Sequence, residues 1–571
     1  MPTTETESPA ATNWLRRAFI AAVLCLAIFQ FSENTADVDL WGHVVFGQDF
    51  LTTGKLATTE PYSWTAFGQH WINHEIIAEV ALAVAHRALG GSGLLLLKII
   101  VGLLTFGVAL SVGGRNSVVA WAFGALAVVE ISFGFAARPQ IFTALALASE
   151  FWLLRQIHDG RWRWAFALPL LFAVWINTHG GALAGIVLLL VAAITASLQG
   201  IYGKLLGAGS SRGGEELVSF TGWGVGVGKN RTQFVPPASG TSVLLWFFSV
   251  ASVTALFVNP YGLELIRWLV DSVLWLRPEI DEWNPARLNA DHAAFFLCAV
   301  IAAVSFLCSR RPLALWELAC TGALGFMAFR SVRHTPLFCI AALAFVPPHL
   351  GDTLERFQDS FSRLLELCRR AAVRKFLAAL LTLSALGILC ATFTLHKERA
   401  WTMEVPRRQY PVTAIEFIKQ HELRGNLLVF FDWGEQCIWE LPDSRVSVDG
   451  RLDTCYPRSV IAAHWKLYNG EPFDEAAVPL DRADFALLPS NLAGSLALAK
   501  QRGWHAVYFD DTAVVLVKKT EQFPKLAGLS LPVAGPAENA KGRAAFPDRL
   551  SLRHSNSRYD YQSSSSALKL P

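Results

Sequence analysis

Long apolar blocks alternate with short polar breaks as far as about residue 395, after which the chain changes character. Eleven blocks approach the roughly 20 apolar residues that a membrane-crossing helix needs. They are residues 15–35, 94–112, 118–136, 139–155, 163–178, 180–200, 243–260, 292–308, 313–329, 335–349 and 376–395. Ile76–Leu89 is apolar but short. It carries Glu79, His86 and Arg87, with Glu75 just before it, so it is predicted to be an amphipathic helix at the membrane interface. Arg16-Arg17 precedes the first block and no clear cleavage site follows, so that block reads as a retained span rather than a signal peptide.

Residues 400–519 have the mixed pattern of a globular domain. Helices are predicted at Pro411–His421, Arg458–Tyr468 and Leu492–Arg502. Strands are predicted at Asn426–Phe431, Arg445–Val448, His505–Phe509 and Ala513–Lys518. This alternation predicts a small α/β sandwich. The fold class is therefore an α-helical polytopic membrane protein of about 11 spans with a C-terminal extracytoplasmic α/β domain. Its parts are a disordered cytoplasmic N-terminus at 1–13, a transmembrane domain at 14–399, the α/β domain at 400–519 and a disordered tail at 520–571. Within the transmembrane domain, residues 36–93 form a long first outer loop and the Gly/Ser-rich residues 201–240 a flexible cytoplasmic loop.

Composition agrees. The 571 residues are 53% hydrophobic and 17% charged, against about 25% charged in soluble domains, and the mean hydropathy is +0.36. A net charge of +3 gives no footprint for nucleic acid. Basic residues collect in alternate loops, around Arg155–Arg163, Arg310-Arg311 and Arg356–Lys375. By the positive-inside rule the N-terminus is then cytoplasmic, and the C-terminal domain faces out from the cell membrane. None of the 9 cysteines forms a CxxC motif. Cys437 and Cys455, in the outer domain, are candidates for a disulfide because each follows a predicted strand. The GVGVGK run near residue 225 lacks the spacing of a phosphate loop.

The chemistry-bearing residues fall on the outer side. Asp37-Val-Asp39-Leu-Trp-Gly-His43 follows the first span directly, and Gln69-His-Trp-Ile-Asn-His74-Glu75 lies further along the same loop. Carboxylates and imidazoles at a membrane edge suit a general base or a divalent-cation site, Asp37 and Asp39 being the candidate ligands. The plainer reading is that the acids cap and solvate a helix end. Arg138-Pro-Gln140, Asn177-Thr-His179-Gly-Gly181, Asn259-Pro-Tyr261-Gly262, Asp281-Glu282-Trp283 and Arg330-Ser-Val-Arg333 also break apolar sequence on that side. Arginines near the headgroup plane suit a phosphate or pyrophosphate, which their planar fork binds bidentately.

These features together resemble the C-type fold (GT-C) glycosyltransferases that use polyprenyl-phosphate sugars. The segments DVDLWGH, TTEPYSW, HWINHE, WINTHGG, VNPYG and FFDWGEQCIWELPDSRVSVDGRLD are similar to a bacterial group of unassigned substrate within that class. Asp432-Trp433-Gly434 is loosely similar to the WWDYG signature of oligosaccharyltransferase catalytic subunits, with one Trp missing and the Tyr replaced. The resemblance implies transfer of a sugar from a lipid-linked donor to an acceptor on the outer face, with membrane lipid as a further partner. It implies Asp39, with Asp37, as catalytic base or metal ligand, and Mg2+ or Mn2+ as the candidate cofactor. Arg138, Arg330 and Arg333 would hold the departing phosphate. His179, His43, His74, Glu75, Tyr261 and Glu282 would complete a substrate site. Two other classes stay open: a transporter using the intramembrane acids Glu130 and Glu150, and a non-catalytic assembly or receptor protein of the same fold.

Overall fold

A computed structural model describes residues 9–209, 240–275, 280–358, 370–395, 401–501, 503–535 and 542–547. The expected disorder at 1–8, 210–239 and 548–571 lies outside these residues. The chain divides into two compact units. One holds Met1–Glu33, Lys98–Phe135 and Gln140–Ala400; the other holds Asn34–Leu97, Ala136–Pro139 and Trp401–Pro571.

The first unit is helical. A helix stands at each of the eleven apolar blocks: Pro9–Phe31, Ile76–Gly113 (of which Lys98–Gly113 belongs to this unit), Val118–Ser132, Gln140–His158, Ala167–Ile176, Ala182–Gly209, Thr241–Ala255, Ala293–Cys308, Leu315–Arg330, Thr335–Arg356 and Ala371–Leu395. Five helices among the described residues are long and apolar enough to cross a membrane, and four more are apolar but shorter. The count of eleven spans is therefore a count of helices, several of which Gly, Pro and Asn breaks cut below membrane thickness. Residues 9–13, expected as part of a disordered N-terminus, and 201–209, expected as part of a flexible loop, belong to helices. The predicted interfacial helix and the span after it form Ile76–Gly113, which breaks at Leu89 and Gly90, where the backbone leaves helical geometry. Small residues let these helices approach closely. A Cβ on Gly113 would lie 2.2 Å from the Leu343 carbonyl oxygen, and one on Gly102 would lie 2.6 Å from the Phe31 ring.

The second unit is α/β. Its six-stranded sheet has the order β3-β2-β4-β6-β5-β7. The strands are β2 (Gly425–Val429), β3 (Ser444–Val446), β4 (Phe485–Pro489), β5 (His505–Phe509), β6 (Ala513–Val517) and β7 (Val533–Ala534), while β1 (Glu404–Pro406) pairs separately with β8 (Arg543–Ala545). β2 runs parallel to β3 and β4, and β6 antiparallel to β4 and β5. Order thus continues past residue 520: β7 extends the sheet and β8 completes a pair, because backbone pairing needs no strong apolar pattern in so short a strand.

The first loop folds as part of this unit. Ser63 bridges Val446 on the edge strand β3, and Trp64 donates its indole N–H to the Leu427 carbonyl at 3.0 Å. Ile72 donates its backbone N–H to Thr454 at 3.0 Å. An exposed strand edge is thereby covered. A buried ion network locks the arrangement. Arg451 is 8% exposed and pairs with Glu60, 1% exposed, and with Asp449, 0% exposed, at 2.7 Å in the latter case. Its guanidinium also lies 4.7 Å from the Trp71 ring centroid and 5.0 Å from that of Phe46.

Cys437 and Cys455 are buried free thiols. The disulfide expectation is corrected: Cys437 does not follow a strand but lies within the helix Gly434–Glu440, which carries it into its own packing.

Candidate active site

The acidic motif sits where the first helix has ended and the helix Leu40–Thr53 begins, with Asp39 at the N-cap position of the latter. Asp39 caps no backbone N–H with its side chain, so the plain capping role does not account for it. Its own backbone N–H donates to Asp37 Oδ1 at 3.0 Å. Arg138 Nε pairs with Asp37 Oδ1 at 2.5 Å, and Arg138 Nη1 lies 3.5 Å from Asp39 Oδ2. The Asp39 side chain keeps 22% of its surface, enough for a substrate atom to reach it.

Burial pushes the Asp39 carboxyl up to about 6. Arg138 opposes that rise, Asp37 adds to it, His43 opposes it and Asp432 adds to it. Two further acids complete the centre, and sequence reasoning missed both as chemistry. Asp432 is raised by burial and by the charge of Asp37. Glu435 is raised well above its ordinary value, again by burial first and then by Asp39. Gly42 donates its backbone N–H to Glu435 Oε2 at 3.1 Å across 393 residues of sequence. The sequence signal for Asp432 was the loose similarity of Asp432-Trp433-Gly434 to the WWDYG signature, and Glu435 had no local pattern to mark it.

Two glycines make room for these carboxylates. A Cβ on Gly450 would lie 2.0 Å from Asp39 Oδ1, and one on Gly42 would lie 2.2 Å from Glu435 Oε2. Gly450→Ala is therefore expected to displace the Asp39 carboxylate and cut any Asp39-dependent rate by at least about tenfold, since misplacement of a reacting group by about 1 Å costs up to 100-fold. The fold should persist. The check is the rate of the variant beside an unchanged melting temperature.

His43, His74 and Glu75 gather beside Asp39. His43 Nδ1 is 3.8 Å from Glu79 and 4.0 Å from Glu75, and His74 Nε2 is 3.8 Å from Glu75. Asn73 donates to Glu79 Oε2 at 2.8 Å. Burial alone would lower His43, but the nearby carboxylates of Glu79, Glu75 and Asp39 raise it overall. Burial lifts Glu75 to about 7 and lowers His74 to about 4. At neutral pH this cluster therefore retains protons next to Asp39.

The remaining candidates lie in the helical unit. His179 Nδ1 is 2.9 Å from Thr143 Oγ1, which accepts from the Trp175 indole, and Nδ1 also accepts the Gly181 backbone N–H at 3.0 Å. Tyr261 closes a turn by donating its backbone N–H to Asn259 at 2.8 Å. Ser331 donates to the Glu282 backbone carbonyl at 2.9 Å, and the Arg333 guanidinium lies 4.6 Å from the Trp283 ring centroid. Arg330 ends the helix Leu315–Arg330 and is exposed. Of the acids expected of a transporter, Glu130 accepts from Thr335 at 2.6 Å and lies 3.5 Å from His292. Glu150 is fully buried with no hydrogen-bond partner among the described residues.

A divalent cation finds a poor donor set here. Among the described residues no three His, Cys, Asp or Glu side chains are grouped to hold one. Asp37 and Asp39 both face the Arg138 guanidinium instead.

No family model matches the sequence, and no curated protein matches it. Solved structures do match the fold. One is the archaeal oligosaccharyltransferase AglB from Archaeoglobus fulgidus in complex with an inhibitory peptide and a dolichol-phosphate, with a TM-score of 0.53 at 10% sequence identity. Another is the Archaeoglobus fulgidus oligosaccharyltransferase tethered through a disulfide bond to an acceptor peptide containing the NVT sequon, with a TM-score of 0.50 at 10% identity. Each match covers 90% of this chain and 75% of the other. At that identity the likeness is one of fold: this chain has the C-type glycosyltransferase fold.

Proposed function

We propose that this chain is a membrane glycosyltransferase that moves a sugar from a polyprenyl-phosphate carrier to an acceptor on the outer face of the membrane. The observation that carries the reading is the Asp37–Asp39–Arg138 centre, partly open and flanked by Asp432 and Glu435, on this fold. The two solved counterparts support it, one holding a dolichol-phosphate and the other an acceptor peptide.

Asp39 takes the proton of the acceptor hydroxyl or amide. The acceptor oxygen or nitrogen bonds to the anomeric carbon as the carbon–oxygen bond to phosphate breaks, and the electron pair of that bond leaves on the lipid phosphate. Arg138 limits the negative charge that builds up beside the acids. His43 and Glu75 lie behind Asp39 as groups that can pass its proton onward.

The base must be ionised to act. With Asp39 held near 6, the transfer rate should rise with pH, reach half its plateau near pH 6, and fall about tenfold per unit below that. The measurement is release of polyprenyl phosphate from a labelled lipid-linked sugar by the purified chain, over pH 4.5 to about 8. A rate that is flat across this range would remove Asp39 as the base.

Orientation has its own check. A cysteine at Asn491, exposed after β4, should react with a membrane-impermeant maleimide from outside intact cells. One at Asp159, exposed beside the basic turn Arg161–Arg163, should react only after permeabilisation. The reverse pattern would overturn the assigned side of the chemistry.

A further inference from the structure

The acidic motif already has a cation, supplied by the chain itself. Asp37 Oδ1 lies between Arg138 Nε at 2.5 Å and the Asp39 backbone N–H at 3.0 Å. Asp37 Oδ1 is thus held in an ion pair with Arg138 and in one hydrogen bond, from the Asp39 backbone N–H. Arg138 Nη1 approaches Asp39 Oδ2 at 3.5 Å. Asp39 Oδ1 is turned to Gly450, so close that a Cβ there would lie 2.0 Å away. A Mg2+ ion between the aspartates would need oxygens at about 2.0–2.1 Å in near-octahedral array, and the guanidinium stands in that place.

The delivery of Arg138 points the same way. It comes from Ala136–Pro139, four residues that belong to the acid-bearing unit although the chain on both sides belongs to the helical unit. Ala137 is fully buried, and the Arg138 backbone N–H closes a turn on the Ala136 carbonyl at 2.8 Å. A guanidinium stays charged at every relevant pH and bridges two carboxylates with its planar fork.

We propose that Arg138 is the fixed cation of the Asp37/Asp39 motif, in place of a divalent metal ion. The arginine neutralises Asp37 closely and Asp39 loosely, so that Asp39 is the carboxylate left with room to meet an acceptor. This purpose rests on the transfer reading; the occupancy of the motif does not.

The test is Mn2+ binding by the purified full-length chain, read by loss of the free Mn2+ electron paramagnetic resonance signal. The wild type should leave the signal unchanged. Arg138→Gln should take up one Mn2+ per chain, and Asp37→Asn added to it should abolish the uptake. Arg138→Lys keeps a positive charge and should bind none. The proposal is overturned if the wild type binds Mn2+ in a manner that Asp37→Asn removes, or if folded Arg138→Gln binds none. Should Arg138→Gln fail to fold, the wild-type titration with its Asp37→Asn control decides alone. In the transfer assay, EDTA should leave the wild-type rate unchanged, and a loss restored by Mn2+ would overturn the proposal. A chain that binds no Mn2+ and transfers no sugar under any condition counts against the transfer reading, not against the arginine.

Discussion

Asp39→Asn should abolish transfer while leaving the protein folded, and more stable if it changes at all. Asparagine keeps the shape of the side chain and one acceptor oxygen facing Arg138, but it cannot take up a proton at working pH. Losing a general base costs about 100- to 10,000-fold in rate. Stability should move the other way, because burial disfavours the Asp39 carboxylate in the native state. Its elevated value means that ionisation destabilises the fold as pH rises from the ordinary range through about 6. An uncharged side chain removes that penalty at neutral pH, although it also gives up a weak pairing with Arg138 at 3.5 Å. The check is single-turnover transfer beside thermal unfolding in detergent. A non-catalytic receptor of the same fold gives a different result: no transfer by the wild type, and no specific loss in the variant.

The second large effect concerns stability. Arg451→Met should destabilise the second unit by about 3–5 kcal/mol, the usual cost of removing one partner from a buried ion pair. The methionine fills part of the space but leaves Glu60 and Asp449 buried without their cation. The rings of Phe46, Tyr62, Trp71 and Tyr456 lose it as well. Denaturant unfolding monitored by tryptophan fluorescence checks the size. A double variant with Glu60→Gln should recover part of the loss, because one of the stranded charges is then removed. A loss within about 0.5 kcal/mol, the range of ordinary surface changes, would show that the network does not hold the first loop to the sheet.

Much of this architecture was legible along the chain, because a helix long enough for a membrane leaves a long apolar block. The helix Arg458–Tyr468 and strand β5 were read to the residue. β4 was not, since Phe485–Pro489 is buried on both faces and shows no alternation. The helix Gly434–Glu440 was hidden by its shortness, and with it went the reading of Cys437. Asp37, Asp39 and Arg138 could be singled out as charged residues breaking apolar sequence, and they meet. Asp432 and Glu435 could not be assigned to the same centre, because contacts across some 393 positions leave no periodic trace. For the same reason Glu60 and Arg451 were not seen as partners. Arg138, singled out along the chain as a phosphate-binding candidate, lies against the two aspartates.

The central claim is that a lipid phosphate is the carrier this protein handles, and native mass spectrometry of the purified full-length chain tests it most directly. With equal amounts of a polyprenyl phosphate and the matching polyprenol added in detergent, the chain should retain one polyprenyl phosphate and little polyprenol. Retention of both lipids alike, or of neither, would contradict the account.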